Sequence, residues 1–147
     1  MIQEIRIKNF RSFKDEVVFS FEASKDSNFE DKNVIAMNDG TRLLRFAAVF
    51  GANASGKSNL LWVFEFLRRF WKHKPKDSDE KININPFMLD SKTSQEPSQF
   101  HLKFYVGQTK YAYKLIVDSS AVYEEQLNVY TSVQPSSLFS RQLDEND

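Results

Sequence analysis

The residues with the clearest chemical potential are Gly51, Gly56, Lys57 and Ser58, inside the stretch VFGANASGKSNLL at 49–61. Their spacing is G-x-x-x-x-G-K-[ST], the pattern of a loop that cradles phosphates. At ordinary residue frequencies a random chain of this length matches it roughly 0.5% of the time, so chance is a poor rival. Each position has a physical task. Gly51 lets the chain leave a strand in a conformation other residues resist. Gly56 lets the backbone approach a phosphate closely. The amides of Asn53, Ala54, Ser55, Gly56, Lys57 and Ser58 can point inward as an anion nest. A helix starting near Lys57 adds the positive end of its dipole. Lys57 is the candidate catalytic residue, a mobile charge for the β- and γ-phosphates. Ser58 is the candidate metal ligand, offering its hydroxyl to Mg²⁺. The whole turn from Gly51 and Ala52 to Asn59 is thus the candidate site for a nucleoside triphosphate with Mg²⁺.

Other chemistry is thinner. Hydrolysis needs a metal-holding carboxylate, and the best candidate is Asp118 in KLIVDSS. No acidic residue follows it, the preceding Tyr111, Tyr113, Leu115 and Val117 alternate, and D-S-S is a good turn. We read Asp118 as a turn residue. Its rival role is a magnesium ligand in a complete small kinase or GTPase, and such a protein would need further parallel strands after it. Glu124 and Glu125 are adjacent on a predicted strand and point to opposite faces, so they form no acid pair. His73 and His101 share no metal-ligand spacing. Cysteine is absent, which excludes disulfides, zinc thiolates and thiol catalysis.

The elements that must position the loop are legible on both sides of it. LLRFAAVF at 43–50 is almost wholly apolar, as in a strand buried on both faces of a parallel sheet. From Lys57 to about Trp71 the pattern is helical, with Leu60, Phe64, Leu67 and Trp71 on one stripe. Leu61, Val63, Phe66 and Phe70 widen that stripe, and Pro75 lies just beyond the stop. Upstream, Ile2–Phe10 and Glu16–Glu22 predict a hairpin joined by RSFKD. A polar loop spans Ser24–Asn33, and a short strand spans Val34–Met37. Downstream, FHLKFYV, KYAYKLIV and AVYEEQLNVY read as an antiparallel meander. The expected organisation is a hairpin, loop strand and helix in 1–75, an irregular connection in 76–98, the meander in 99–131, and a frayed tail in 132–147.

The chain has 147 residues, 41% of them hydrophobic, with 20 basic and 20 acidic side chains. That length supports one domain with a real core. Zero net charge gives no bulk signal for nucleic acid or an anionic membrane. Arg68, Arg69, Lys72, Lys74 and Lys76 form a local basic patch, read as a solvated face with nucleic-acid contact as the sharper alternative. No apolar run reaches the ~18 residues of a membrane span, and the N-terminus is not a signal peptide. The expected location is cytoplasmic.

The loop, with Asn53 and Ser55 before GKS, resembles the ABC-type ATPases of the RecF, SMC and OLD (overcoming-lysogenisation-defect) group, and so does the opening IRIKNFRSF. NPFMLD, PSQFHLKFYV, YAYKLIVD and YEEQLNVY resemble the antiparallel segment of a narrower subgroup. These are the bacterial AAA-like, OLD-related proteins tied to abortive infection and phage defence. The resemblance implies an α/β fold: the first lobe of a P-loop NTPase (ABC-ATPase-like), a mixed sheet with an antiparallel β-subdomain, and an incomplete catalytic set. It implies that Arg11 and Ser12 lie near the nucleotide. It implies an ATPase whose signature helix, Asp-Glu strand and switch histidine lie in further protein. It also implies a homodimer of the full-length protein, and leaves open a nuclease partner or domain and nucleic-acid contact. Ala54 stands where many of these proteins have glycine, and is tolerated there if its φ stays negative.

Overall fold

The computed structural model describes residues 1–25, 30–75, 77 and 79–143. Its centre is a six-stranded sheet in the order β2-β1-β5-β6-β7-β8. The strands are β1 (Ile2–Lys8), β2 (Val17–Ser20), β5 (Ser98–Val106), β6 (Thr109–Val117), β7 (Val122–Tyr130) and β8 (Ser136–Gln142). A separate pair, β3 (Val34–Ala36) and β4 (Arg42–Leu44), follows a single helical turn, α1 (Glu30–Asn33). One long helix, α2 (Lys57–Lys72), covers the large sheet.

Alternation dictates the sheet's two faces. One row of cross-strand partners runs Val17, Ile7, Phe100, Leu115, Glu125, Arg141, and the next runs Phe19, Ile5, Leu102, Tyr113, Leu127, Phe139. Ile5, Ile7, Phe100, Leu102, Tyr113 and Leu115 from these rows form the core with Leu60, Val63, Phe66 and Leu67 of α2. Burying a side chain of this size contributes about 1.5–3 kcal/mol, so α2 is held mainly by packing rather than propensity. The opposite face carries ion pairs, Glu4 with Arg6 and Lys103, and Lys114 with Glu124.

Four expectations need correction. The first concerns the tail: 136–142 is not frayed but forms β8 on β7. Every residue of β8 is exposed, so its sequence lacks apolar alternation. The backbone ladder and the ion pair of Arg141 with Glu125 hold it instead. Residues 144–147 lie outside the described residues.

The second concerns 43–50. Only Leu43 is buried, and β4 ends at Leu44. Phe46 and Phe50 are 76% and 89% exposed. β1 already pairs on both edges, with β2 and β5, and no described strand lines up with 46–50. Without a ladder partner an apolar run has nothing to satisfy its backbone, so no strand forms. All strand pairings described are antiparallel, and the parallel part of the expected mixed sheet is not among them.

The third concerns α2, whose span is the one the pattern predicts but whose buried stripe is rotated. Leu60, Val63, Phe66 and Leu67 are buried, while Leu61 is 70% exposed and Trp71 is also exposed. The apolar residues run most of the way round the helix, so periodicity could not choose a face. An aromatic cluster chose it: the Phe66 ring stacks on Phe100 at 5.1 Å, and Phe10 meets both. The fourth is small. The polar loop at 24–33 contains α1, whose Glu30 and Asp31 open the turn and whose Lys32 closes it, in accord with the helix dipole. Residues 26–29 of that loop lie outside the described residues.

Candidate functional site

The loop 51–55 is exposed, and Gly56 opens α2 from the left-handed region at φ 89. Among the described residues, the amides of Asn53, Ala54, Gly56, Lys57 and Ser58 donate to no protein acceptor. Two loop amides are engaged nearby: Ser55 donates to the Ala52 carbonyl at 3.3 Å, and Asn59 to the Gly56 carbonyl at 2.9 Å. α2 has no side-chain cap at this end. The first turn of a helix therefore presents unpaired donors beside the partial positive charge of the dipole. That is the arrangement an anion requires.

Lys57 lies within this turn. Its ammonium donates to the carbonyls of Gly51 at 2.7 Å and Ala52 at 2.6 Å, and lies 3.5 Å from Ser55 Oγ. The cation therefore already sits against the loop's own backbone. Ser58 follows it at the start of α2, exposed. Ala54 is at φ 62, which corrects the expectation of a negative φ. An alanine there costs roughly 1–2 kcal/mol that a glycine would not.

The β1–β2 turn forms the second wall. Ser12 Oγ accepts a hydrogen bond from Asn59 Nδ2 at 2.7 Å. A methyl group added at Gly56 would lie 2.9 Å from the same oxygen, so turn and loop are in close approach. Arg11, at φ 51, lays its guanidinium over the Trp62 ring at 4.6 Å, a cation–π contact. Its Nε is buried with no hydrogen-bond partner. Ser12 is thus the turn residue that touches the loop, while Arg11 faces α2. A groove of about 1110 Å³ begins at Arg11 and Trp62 and runs along α2 past Arg69 and Lys72. None of residues 51–58 lines it.

What holds the turn is Asn9, to which the sequence reading assigned no role. Its side chain is fully buried. Nδ2 donates to the carbonyls of Thr93 and Glu96 at 2.6 and 2.7 Å, and Oδ1 accepts from the Phe87 amide at 3.0 Å. Ser98 Oγ donates to the Asn9 carbonyl. Asn9 is at φ 52, a conformation asparagine tolerates better than most residues. An asparagine closing an alternating strand was the available signal.

The remaining candidates lie elsewhere. Asp118 caps its own turn: Oδ1 accepts from Ser120 N and Oγ and from Ala121 N, and Oδ2 from Tyr123 OH. Burial pushes this carboxyl up, but the bonds from Tyr123, Ser120 and Ala121 outweigh it and hold it below the usual carboxylate range. Glu124 pairs with Lys114 at 2.6 Å, whereas Glu125 is buried between Tyr113 OH and Arg141. Burial and the bond to Glu125 both push the Tyr113 hydroxyl up. In the basic patch, Arg68 and Arg69 both bond Glu65, and the Arg68 and then the Arg69 bond draw its carboxyl down to about 2. Lys76 lies outside the described residues. Burial lowers His101, with Lys114 adding to the effect. His73 lies 3.2 Å from Glu80. Among the described residues no group of three or more His, Cys, Asp or Glu side chains is placed to hold a metal, and no helix is long and apolar enough to cross a membrane.

No curated protein matches the chain. The family described as "AAA domain, putative AbiEii toxin, Type IV TA system" matches residues 46–147. That span begins just before the phosphate loop and takes in α2 and β5 to β8. The AAA domain match supports a nucleotide-binding, ATPase-like function. Since the matched span is well over half of the chain, the chain belongs to that AAA domain family.

Proposed function

We propose that residues 51–59 bind Mg-ATP as the phosphate site of an ABC-type ATPase of the RecF, SMC and OLD group. The observation that carries this reading is the set of five unpaired amides around Lys57 at the start of α2. Lys57 would exchange the carbonyls of Gly51 and Ala52 for the β- and γ-phosphates, the amides would hold the phosphate oxygens, and Ser58 would hold Mg²⁺, which would neutralise phosphate charge. Ser12 and Asn59 shape the wall through their mutual bond, and Arg11 supplies charge nearby.

Turnover depends on groups outside the described residues. Phosphoryl transfer needs a placed cation and a residue that orients the nucleophile, and one missing arginine can cost 10³–10⁵ in rate. Among the described residues no carboxylate bonds the loop, Ser12 or Asn59. In the working protein two copies pair on ATP, each completing the other's site. The family description supports a setting in abortive infection; phage defence or DNA maintenance, and a cytoplasmic location, go with the RecF, SMC and OLD assignment.

Mg-ATP at a hundredfold excess over Kd should stabilise the chain by about 2.7 kcal/mol. That is a rise in Tm of roughly 5–11 °C for a chain of this size. The Lys57→Ala variant should lose most of the rise while keeping its ligand-free Tm within a few degrees. A wild-type chain whose Tm ignores Mg-ATP would end this reading.

A further inference from the structure

The hydroxyl of Ser12 reaches the head of α2 from a different part of the chain. Its Oγ lies 2.9 Å from the point a methyl group on Gly56 would occupy. It therefore stands over the start of α2, where the amides of Gly56, Lys57 and Ser58 donate to no protein acceptor among the described residues. The turn that carries Ser12 is fixed on both sides. Phe10 and Phe13 exchange backbone bonds at 2.9 Å, and the Arg11 amide donates to the Asn85 carbonyl. Where Oγ stands is thus set by the β1–β2 turn. Which way its proton points is set by Asn59, in the first turn of α2, whose Nδ2 donates to Oγ at 2.7 Å. That donor occupies a lone pair on the Asn59 side, so the serine proton is directed elsewhere. Among the described residues nothing accepts it.

We propose that the Ser12 hydroxyl donates to a phosphate oxygen of the nucleotide, and that Asn59 is the positioning residue that makes it a donor. This rests on the Mg-ATP reading above and deepens it. A hydroxyl can donate or accept, and an anionic phosphate oxygen calls for a donor. A serine free to turn meets the anion with a lone pair part of the time and loses that freedom on binding. With Asn59 donating to it, the hydroxyl is already turned the productive way, and the incoming hydrogen bond makes it a stronger donor. The Asn59–Ser12 bond is present with or without ligand, so its own energy drops out of the affinity. The Ser12–phosphate bond does not drop out, because it exists only in the occupied site. The side chain of Asn59 therefore acts on the nucleotide only through Ser12.

A double-mutant cycle on the Kd for Mg-ATP tests both halves. Titrations are made on folded chains well below Tm, so a loss of stability does not enter them. Ser12→Ala should weaken Kd roughly tenfold or more, the loss of one hydrogen bond to a charged acceptor. Asn59→Leu, which keeps the size and removes the donor, should weaken Kd about threefold in wild type. In the Ser12→Ala background it should change nothing. Asn59→Asp tests the direction of the bond, since a carboxylate only accepts and would turn the serine proton away from the ligand. Its cost should be larger with Ser12 present than with alanine there, and the difference excludes the effect of the added charge. An unchanged Kd in Ser12→Ala would overturn the donor. Equal costs of the Asn59 substitutions in the two backgrounds would overturn the positioning role. A wild type that binds Mg-ATP while the cycle is additive sinks this inference alone, whereas a wild type that ignores Mg-ATP sinks the functional reading and this inference with it.

Discussion

Among the described residues, two corners hold non-glycine residues at positive φ, and they are built in opposite ways. At the end of β1, Asn9 and Arg11 sit at φ 52 and 51. Backbone bonds fix that corner, from Asn9 N to Lys14 O, Phe10 N to Phe13 O and Arg11 N to Asn85 O. The buried Asn9 amide ties it to residues 87, 93 and 96. The loop before α2 holds Ala54 at φ 62 with one flexible lysine and one long backbone bond. The first corner is rigid because many groups agree on its shape. The second is soft because its donors are left unspent, and unspent donors are what an anion needs. The two meet at Ser12, so the stiff corner is the reference against which the soft one is positioned.

The largest effect should come from breaking the stiff corner. Asn9→Ala removes the bonds to the Thr93 and Glu96 carbonyls and from the Phe87 amide, leaving the buried Thr93 carbonyl with only the 3.2 Å bond from the Glu96 amide, and puts alanine where asparagine is better tolerated. A lost hydrogen bond costs about 0.5–1.5 kcal/mol and an unsatisfied buried group about 1–3 kcal/mol, so the loss should be about 2–4 kcal/mol in urea or thermal unfolding. A loss below about 1 kcal/mol would show that the corner is less determined than its bonds suggest.

A smaller effect should come from the contact between the corners. Gly56→Ala combines φ 89 with a methyl 2.9 Å from Ser12 Oγ. About 1–2 kcal/mol should be lost to the conformation alone, together with the Mg-ATP shift in Tm, since Ser12 must leave Asn59. Full retention of both would mean the corners move independently.

The smallest effect is electrostatic. The Lys14 ammonium beside Asp90, with the amides of Thr93 and Lys92, draws the Asp90 carboxyl from 3.8 to about 2. A depressed folded pKa contributes stability that is present above 3.8 and lost as pH falls through about 2. The Tm advantage of wild type over Asp90→Asn should therefore shrink between pH 4 and 2 and stay constant above pH 5. An advantage that is flat across the acid range would remove Lys14–Asp90 from the support of the stiff corner.

Much of the site was readable in the residues, and the misreadings share a cause. The span of α2 follows from apolar periodicity after Gly56 and the stop before Pro75, and strands β5, β6 and β7 follow from period-two runs between turn residues. The spacing singles out Gly51 to Ser58, and of these Gly51, Ala52 and Ser55 bring an oxygen to the Lys57 ammonium. Ala54 was readable as the odd residue, yet not its sign of φ, which depends on how the turn closes. Asn9 was overlooked because its partners lie at 87, 93 and 96, and its value appears only when those segments arrive. β8 was overlooked because an edge strand held by a ladder needs no apolar pattern. The run at 45–50 misled because hydrophobicity states that a segment prefers burial, not that a partner is at hand.

By itself the sequence determined the local chemistry: glycines where the chain must bend, a lysine and serine at the head of a helix, and the periods that make helix and strand. These depend on neighbours within a turn or two, which the order of residues specifies directly. Tertiary structure alone decided the rest. It chose the face of α2 that is buried, seated β1 between β2 and β5, brought Ser12 against Gly56, and left Phe46 and Phe50 in solvent. Those outcomes rest on contacts between residues tens of positions apart, whose free energies are settled only when the whole sheet closes on its helix.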